Sequence, residues 1–304
     1  MNISIIIPSL NAAGLLPPLF ASLHNQNLSA SEIIIIDSSS DDDTVEIAKS
    51  LGARVISIER KEFNHGRTRN LAASLAKGEV LVFLTQDALP YDKYFLEALI
   101  SPLAQTDVIA SYGRHMPKKD AIPPERFARL FNYTGQALIK GRDDIPRLGI
   151  KTFMFTNVCS ALKRKEFEHV GMFPENVIMD EDLVFAATAI TKGYKIAYCP
   201  KAKVMHSHNY RLVQQFKRYF DIGVVLNQQR WIRNLSAAEG QGLKYLQEEV
   251  RYLFRNGEWS WIPYAVVQSS LKFAGYRLGL MQAMLPLKVK RRLSLHSSYW
   301  DRKS

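Results

Sequence analysis

Cysteine is nearly missing from this sequence: Cys159 and Cys199 are the only two among 304 residues, far apart and without CxxC spacing. That excludes a disulfide framework and a cysteine-built zinc site, and makes a reducing cytoplasm the default expectation. No stretch reaches the roughly 18 uninterrupted apolar residues of a membrane-spanning helix. The opening MNISIIIPSL has no basic residue ahead of an apolar run that Pro8 soon ends, so it reads as a strand and not a signal peptide. Also lacking are a GxGxxG turn after the first apolar run and a GxxxxGKS/T loop anywhere. Neither glycine-rich device for cradling phosphate is available, so any nucleotide must be held by side chains. Acidic residues thin out toward the end: from Trp259 onward the only one is Asp301, against Lys272, Arg277, Lys288, Lys290, Arg291, Arg292, Arg302 and Lys303.

What is present is an ordinary folded composition, 47% apolar and 23% charged, with a net charge of +11 that suits an anionic partner. Continuously apolar, β-branched runs at 3–7, 32–37, 54–58, 80–84 and 107–111 alternate with helical patterns such as LLPPLFASLHNQ and TRNLAASLAKG. Strands of that kind are buried on both faces, and their alternation with helices predicts a mostly parallel α/β sheet. Ligands of such sheets bind beyond the carboxyl ends of the strands. The residues there are polar: Pro8-Ser9-Leu10-Asn11, Asp37-Ser38-Ser39-Ser40-Asp41, Glu59-Arg60 and Gln86-Asp87. Between 115 and 150 the alternation breaks into a Pro- and Arg-rich segment read as an insertion over the sheet edge, and beyond 210 the chain is mainly helical.

Each polar cluster has two readings. Asp37 is suited to accept the imide N–H of uracil or thymine; equally, Asp37 and Asp41 can cap the following helix, with Ser38 to Ser40 as turn formers. Asp87 has the hard-oxygen chemistry of a Mg²⁺ or Mn²⁺ ligand bridging a diphosphate, or it is an N-cap, a role for which it comes early, before Pro90. FNHGRTRN places His65, Arg67 and Arg69 around Gly66 at a helix start, where dipole and guanidinium charge both favour an anion; either arginine could instead be a solvated surface residue. Asp180, Glu181 and Asp182 precede an apolar helix, as caps or with one member serving as a general base of shifted pKa; capping by Asp180 is compatible with catalysis by a neighbour. In HSHNY, His206 and His208 share one face of an extended stretch, as ligands of a metal or phosphate, or as polar packing.

Taken in order, SIIIPSLNA, IIIIDSSSDDDT, FNHGRTRN, VFLTQDALP, FTNVCSALKRKEFEHVGMFPE, MDEDLVFA, GYKIAYCPKAKVMHSHNY, QQFKRYFDIGV and LSLHSSYW cover almost the whole chain. Together they resemble the inverting family 2 glycosyltransferases of GT-A fold, and within them the bacterial rhamnosyltransferases of O-antigen and related cell-surface polysaccharide assembly. The resemblance implies a Rossmann-like GT-A catalytic domain over 1–225, with a nucleotide-binding half at about 1–112 and an acceptor half at about 113–225, followed by a basic helical extension over 226–304. It implies that Pro8, Ser9 and Asn11 line the nucleotide pocket, that Asp37 contacts the base, that Arg69 and Asn70 stand on the diphosphate side, that Ser39, Arg67 and Gln86 also bind the nucleotide sugar, and that Asp87, which contacts it too, is the surviving metal ligand of a DxD motif whose first aspartate is replaced by Thr85. It further implies that Asp182, with Glu181 beside it, is the catalytic base, that His206 or His208 completes a Mg²⁺ or Mn²⁺ site, and that dTDP-rhamnose is the donor and a glycan or lipid-linked oligosaccharide the acceptor.

In the tail, Val267, Leu271, Ala274, Leu278, Met281 and Leu285 form an apolar stripe next to KVKRR. It suits peripheral contact with the cytoplasmic face of the inner membrane, or packing on the catalytic domain or a dimer partner. Competing functions are the same fold with a UDP-hexose donor, a basic nucleic-acid-binding protein, and a non-catalytic scaffold. No reading helix, RNP or zinc motif supports nucleic-acid binding.

Overall fold

The computed structural model describes residues 2–236 and 241–303, and the side chains of Gln241, Arg302 and Lys303 lie outside that description. The parallel half of the sheet grows from the apolar runs: β1 (Ile3–Ser9), β2 (Glu32–Asp37), β3 (Arg54–Ser57) and β4 (Val80–Leu84). They lie in the order β3-β2-β1-β4, all parallel. Ile5, Ile7, Val82 and Leu84 enter one apolar cluster while Ile6, Leu81 and Phe83 enter the other, so alternate side chains of the same strands feed cores on opposite faces. This two-sided burial is why these runs carry no polar alternation. Helix α1 (Leu16–His24) starts with prolines at its first turn and buries Leu16, Leu19, Phe20 and Leu23, the i, i+3, i+4, i+7 face that a helix presents to a sheet. Helices α2 (Thr44–Ser50), α3 (His65–Leu75) and α4 (Phe95–Ile100) fill the remaining crossovers.

The second half of the sheet is mixed rather than a continuation of the parallel pattern. Its strands are β5 (Leu89–Pro90), β6 (Val108–Met116), β7 (Leu138–Lys140), β8 (Cys159–Lys163) and β9 (Lys195–Met205). Strand β8 runs antiparallel between β4 and β6, and β9 pairs parallel with β6 but antiparallel with β5 and β7. The segment 115–150 is not a plain loop: it holds α5 (Pro123–Asn132), β7 and the short α6 (Ile145–Leu148). Helices α7 (Arg164–Val170) and α8 (Glu181–Thr191) complete this half.

The helical region comprises α9 (Leu212–Gln228), α10 (Arg230–Leu235), α11 (Gln241–Arg255), α12 (Ile262–Leu280) and α13 (Leu287–Leu293). Helices α9 and α12 meet backbone to backbone through glycines. A Cβ on Gly279 would stand 2.1 Å from the Phe220 carbonyl oxygen, and one on Gly275 2.3 Å from that of Phe216. The buried face of α12 is therefore Ala265, Gln268, Gly275 and Gly279, while Val267 and Met281 of the expected stripe are exposed. The expected boundary at residue 225 falls inside α9, and Tyr299 and Trp300 are buried in the same cluster as Ile6 and Phe83 of the sheet. The helical region is thus packed into the core that supports the site.

Candidate active site

Register brings the first cluster together. Leu89 of β5 pairs with Met205 of β9 in antiparallel fashion, which sets the residues just before Leu89 beside those just after Met205. Asp87 and the two histidines consequently meet. Asp87 Oδ2 lies 3.4 Å from His206 Nε2 and 3.2 Å from His208 Nε2, and the two Nε2 atoms are 3.1 Å apart. Residues 206–210 are irregular rather than extended, so the convergence comes from the turn after β9 and not from period-two spacing. Burial pushes the His206 imidazole down to about 3 and lowers that of His208, which favours in each the neutral form that ligates a metal. Burial works against the Asp87 carboxylate, but the two imidazoles and Lys118 outweigh it and hold it below the usual range. One carboxylate and two imidazoles whose donor atoms lie within 4.8 Å of one another form a donor set that fits a single divalent cation.

The second cluster forms at the start of α8. Asn157, 2% exposed and just before β8, organises it: its N–H donates to Asp182 Oδ2 at 3.1 Å and its Nδ2 donates to Glu181 Oε1 at 3.0 Å. Glu181 also pairs with Arg69 Nη1 at 3.2 Å, both side chains 6% exposed. Burial, then the neighbouring Glu181 and Asp180 carboxylates, pushes Asp182 well above the carboxylate range. Burial alone would raise Glu181 too, but Arg69 holds it below its usual value. Two adjacent carboxylates are thus driven apart, one charged and one proton-hungry, which is the electrostatic condition for a general base. Asp180 occupies the N-cap position in a left-handed conformation, φ 56°, yet makes no side-chain cap. The expected capping by Asp180 is therefore not found.

Between these clusters lies a cavity of about 370 Å³ lined by Pro8, Ser9, Leu10, Ser38, Arg60, Phe63, His65, Arg69, Thr85, Gln86 and Ser298. It opens at the carboxyl ends of β1, β2 and β4, as the parallel architecture requires. Ser38 Oγ, His65 Nε2 and Arg69 Nε, all on lining residues, are buried polar atoms without a protein partner. Buried donors and acceptors are nearly always satisfied, so orphans grouped around one cavity point to a ligand site. Asn64 caps α3 there, accepting from the N–H groups of Gly66 and Arg67.

Of the sequence-predicted residues, Pro8, Ser9, Arg69 and Gln86 line this cavity. Gln86 also bridges to the backbone of Leu10 in both directions. Five others, Asp37, Asn11, Arg67, Asn70 and Ser39, do not line it, and each has another partner. Asp37 is 2% exposed and accepts from the Ser40 N–H and hydroxyl, a local turn arrangement. Asn11 ties its loop to the next through Ser40 and Asp41. Arg67 points to Glu175, 3.3 Å away on the surface. Asn70 holds the backbone of Phe173 and the Glu175 carboxylate. Ser39 donates to the Ile58 carbonyl. Thr44 is held by Asp42 rather than by the N-cap residue Asp43. Sequence reasoning assigned no role to Asn157 or Ser298, whereas His65 was placed at the anion-favouring start of α3 and does line the cavity. Arg60 was visible as a polar residue at a strand end; Asn157 and Ser298 lie within FTNVCSALK and LSLHSSYW, stretches that carry the resemblance, but only pairing across the sheet and docking of the tail show what they face.

Comparisons with known proteins identify the family and the fold. The description "Glycosyl transferase family 2" matches residues 4–171. The O-antigen chain rhamnosyltransferase RfbN of Salmonella typhimurium is 40% identical over 99% of this chain and 96% of its own length. The corresponding WbaN of Salmonella anatum is 43% identical over the same shares. Among solved structures, the mannosyltransferase PcManGT of Pyrobaculum calidifontis, in complex with GDP-Man and Mn²⁺, superimposes with a TM-score of 0.56 at 18% identity, covering 98% of this chain and 84% of its own. TarS of S. aureus with UDP-GlcNAc gives 0.56 at 15% identity, covering 92% and 90%.

Proposed function

The chain belongs to glycosyl transferase family 2, and from that premise we propose that it transfers L-rhamnose from dTDP-rhamnose to a hydroxyl of a lipid-linked O-antigen glycan with inversion. The observation that carries the reading is a cavity walled by Arg69, Thr85 and Gln86, with the metal-ligand set beginning at the next residue, Asp87, and a carboxylate of raised proton affinity next to Glu181, the ion-pair partner of Arg69. In this reading the diphosphate lies against Arg69 and the N-terminus of α3, where helix dipole and guanidinium charge act together. Asp182 takes the proton of the acceptor hydroxyl, the oxygen attacks the anomeric carbon from the face opposite the nucleotide, and the diphosphate departs with the bonding electrons. One displacement gives inversion. Glu181 stays charged against Arg69 and keeps Asp182 basic.

Asp87, His206 and His208 would hold a divalent cation. Two nitrogen donors favour Mn²⁺ over Mg²⁺, which prefers an all-oxygen shell. When bound, the cation supplies positive charge to the leaving diphosphate. Release of nucleotide from dTDP-rhamnose, UDP-glucose and UDP-galactose in the presence of lipid-linked acceptor tests the assignment. Turnover with dTDP-rhamnose is expected; turnover restricted to a UDP-hexose would replace the donor, and no turnover with any nucleotide sugar would overturn the reading.

The same reading places the enzyme at the cytoplasmic face of the membrane. Among the described residues no helix is long and apolar enough to cross it. Exposed Val267, Phe273, Met281 and Met284 lie along the chain beside exposed Lys288, Arg291 and Arg292, a combination suited to an anionic leaflet surface. Co-sedimentation with phosphatidylglycerol vesicles that falls away in 0.5 M salt, where the Debye length shrinks to about 4 Å, is expected. Salt-independent self-association without vesicle binding would assign this face to a dimer instead.

A further inference from the structure

We propose that the C-terminal segment His296–Trp300 is a wall of the donor pocket, with Ser298 as a donor-positioning residue and Asp221 as the clamp that holds the segment in place. The inference rests on the reading of the cavity as the nucleotide-sugar site. Ser298 lines that cavity together with Ser38 and Arg69, although it comes from the opposite end of the chain. It also lines a smaller adjoining cavity with His65, His296 and Tyr299. The His296 ring stands edge-on to His65 with centroids 5.0 Å apart, and His65 Nε2 is one of the orphan polar atoms of the cavity lining. The tail thus completes the surroundings of the α3 N-terminus, the place where an anionic ligand is favoured.

The segment is fixed from both sides. Asp221 of α9, fully buried, accepts from the N–H groups of Leu295 at 2.9 Å and His296 at 3.1 Å through one carboxylate oxygen. Beyond Ser298, the Tyr299 hydroxyl donates to the Asn176 carbonyl at 3.0 Å and Trp300 is 3% exposed. Ser298 itself is exposed between these anchors. A small hydroxyl presented from a doubly anchored turn is placed to hydrogen-bond a ligand, while a large side chain there would intrude on it. The glycine-mediated contact of α9 with α12 gives the clamp a rigid base.

Binding of dTDP and UDP by calorimetry, and donor KM and kcat, would be measured on Ser298→Phe, Asp221→Ala, Asp221→Asn and, on the opposite side of the cavity, Ser38→Phe. Ser298→Phe is expected to weaken nucleotide binding at least tenfold, with the loss falling on donor KM more than on kcat. Asp221→Ala is expected to weaken it three- to tenfold, and Asp221→Asn, whose amide oxygen still accepts both N–H groups, to restore most of the affinity. Circular dichroism and melting temperature establish that each variant is folded. Weakening by Ser38→Phe without weakening by Ser298→Phe would overturn the tail's role and leave the donor site standing. No effect of either, or no nucleotide bound by the parent protein, would overturn both.

Discussion

The Arg69–Glu181 pair offers a quantitative test, because its partners are buried deeply enough for removal of one to leave an uncompensated charge. Their side chains are each 6% exposed and 3.2 Å apart. Arg69 Nη1 also donates to the His65 carbonyl at 2.9 Å, and Glu181 accepts from Asn157. Arg69→Met keeps the bulk but strands the Glu181 carboxylate, which should destabilise the fold by about 3–5 kcal/mol. Glu181→Gln should be milder, since the amide oxygen still accepts from Asn157. In the double variant Arg69→Met/Glu181→Leu neither charge of the pair remains, and the residual loss should be about 1–3 kcal/mol from the unpaired Asn157 amide. The two sites should therefore be strongly non-additive in a double-mutant cycle. Urea denaturation followed by tryptophan fluorescence and circular dichroism would read this out; at roughly 2 °C per kcal/mol for a chain of this size, Arg69→Met should melt about 6–10 °C lower. A loss below about 1 kcal/mol in Arg69→Met, or a double variant as unstable as the summed singles, would refute the claim that this is a coupled buried pair.

Three further outcomes are expected. Asp182→Asn should lower kcat by about 10²–10⁴-fold and should also melt higher than the parent at pH 8. A carboxyl whose folded pKa is raised gives most stability below its unfolded value and loses it as pH rises through the folded one, and the amide removes that loss. For the same reason the acid limb of kcat/KM in the parent should lie well above the ordinary carboxylate pKa, and a limb near pH 4 would exclude Asp182 as the base. Alanine at Asp87, His206 or His208 should each reduce Mn²⁺ affinity by at least tenfold in calorimetry, and unchanged binding in any one would remove that side chain from the ligand set. Gly279→Ala should destabilise by about 1–3 kcal/mol or more, because its new carbon would sit 2.1 Å from a carbonyl oxygen of α9; a neutral effect in urea would show that the helix pair has room to separate.

The local rules were enough for the nucleotide half. Runs such as ISIII and VLVFL can be satisfied only by burial on both faces, so strand positions, parallel pairing and the polar strand ends at Ser9 and Gln86 followed from pattern alone. Asp87 and Asp182 were recognisable from their chemistry and their place before or after an apolar element. Tertiary structure decided what they face. Asp37 and Asn70 have the right side chains at promising positions, but Ser40 and Phe173 engage them. Both histidines reach Asp87 because β5 and β9 are in antiparallel register, which no spacing within HSHNY encodes. The proton affinity of Asp182 arises from burial and from neighbours held by Asn157 and Arg69, and Ser298 enters the cavity from the far end of the chain. Periodicity reports burial of one element at a time, whereas a site is a set of distances between elements, and those exist only once the sheet has chosen its order and the tail has docked.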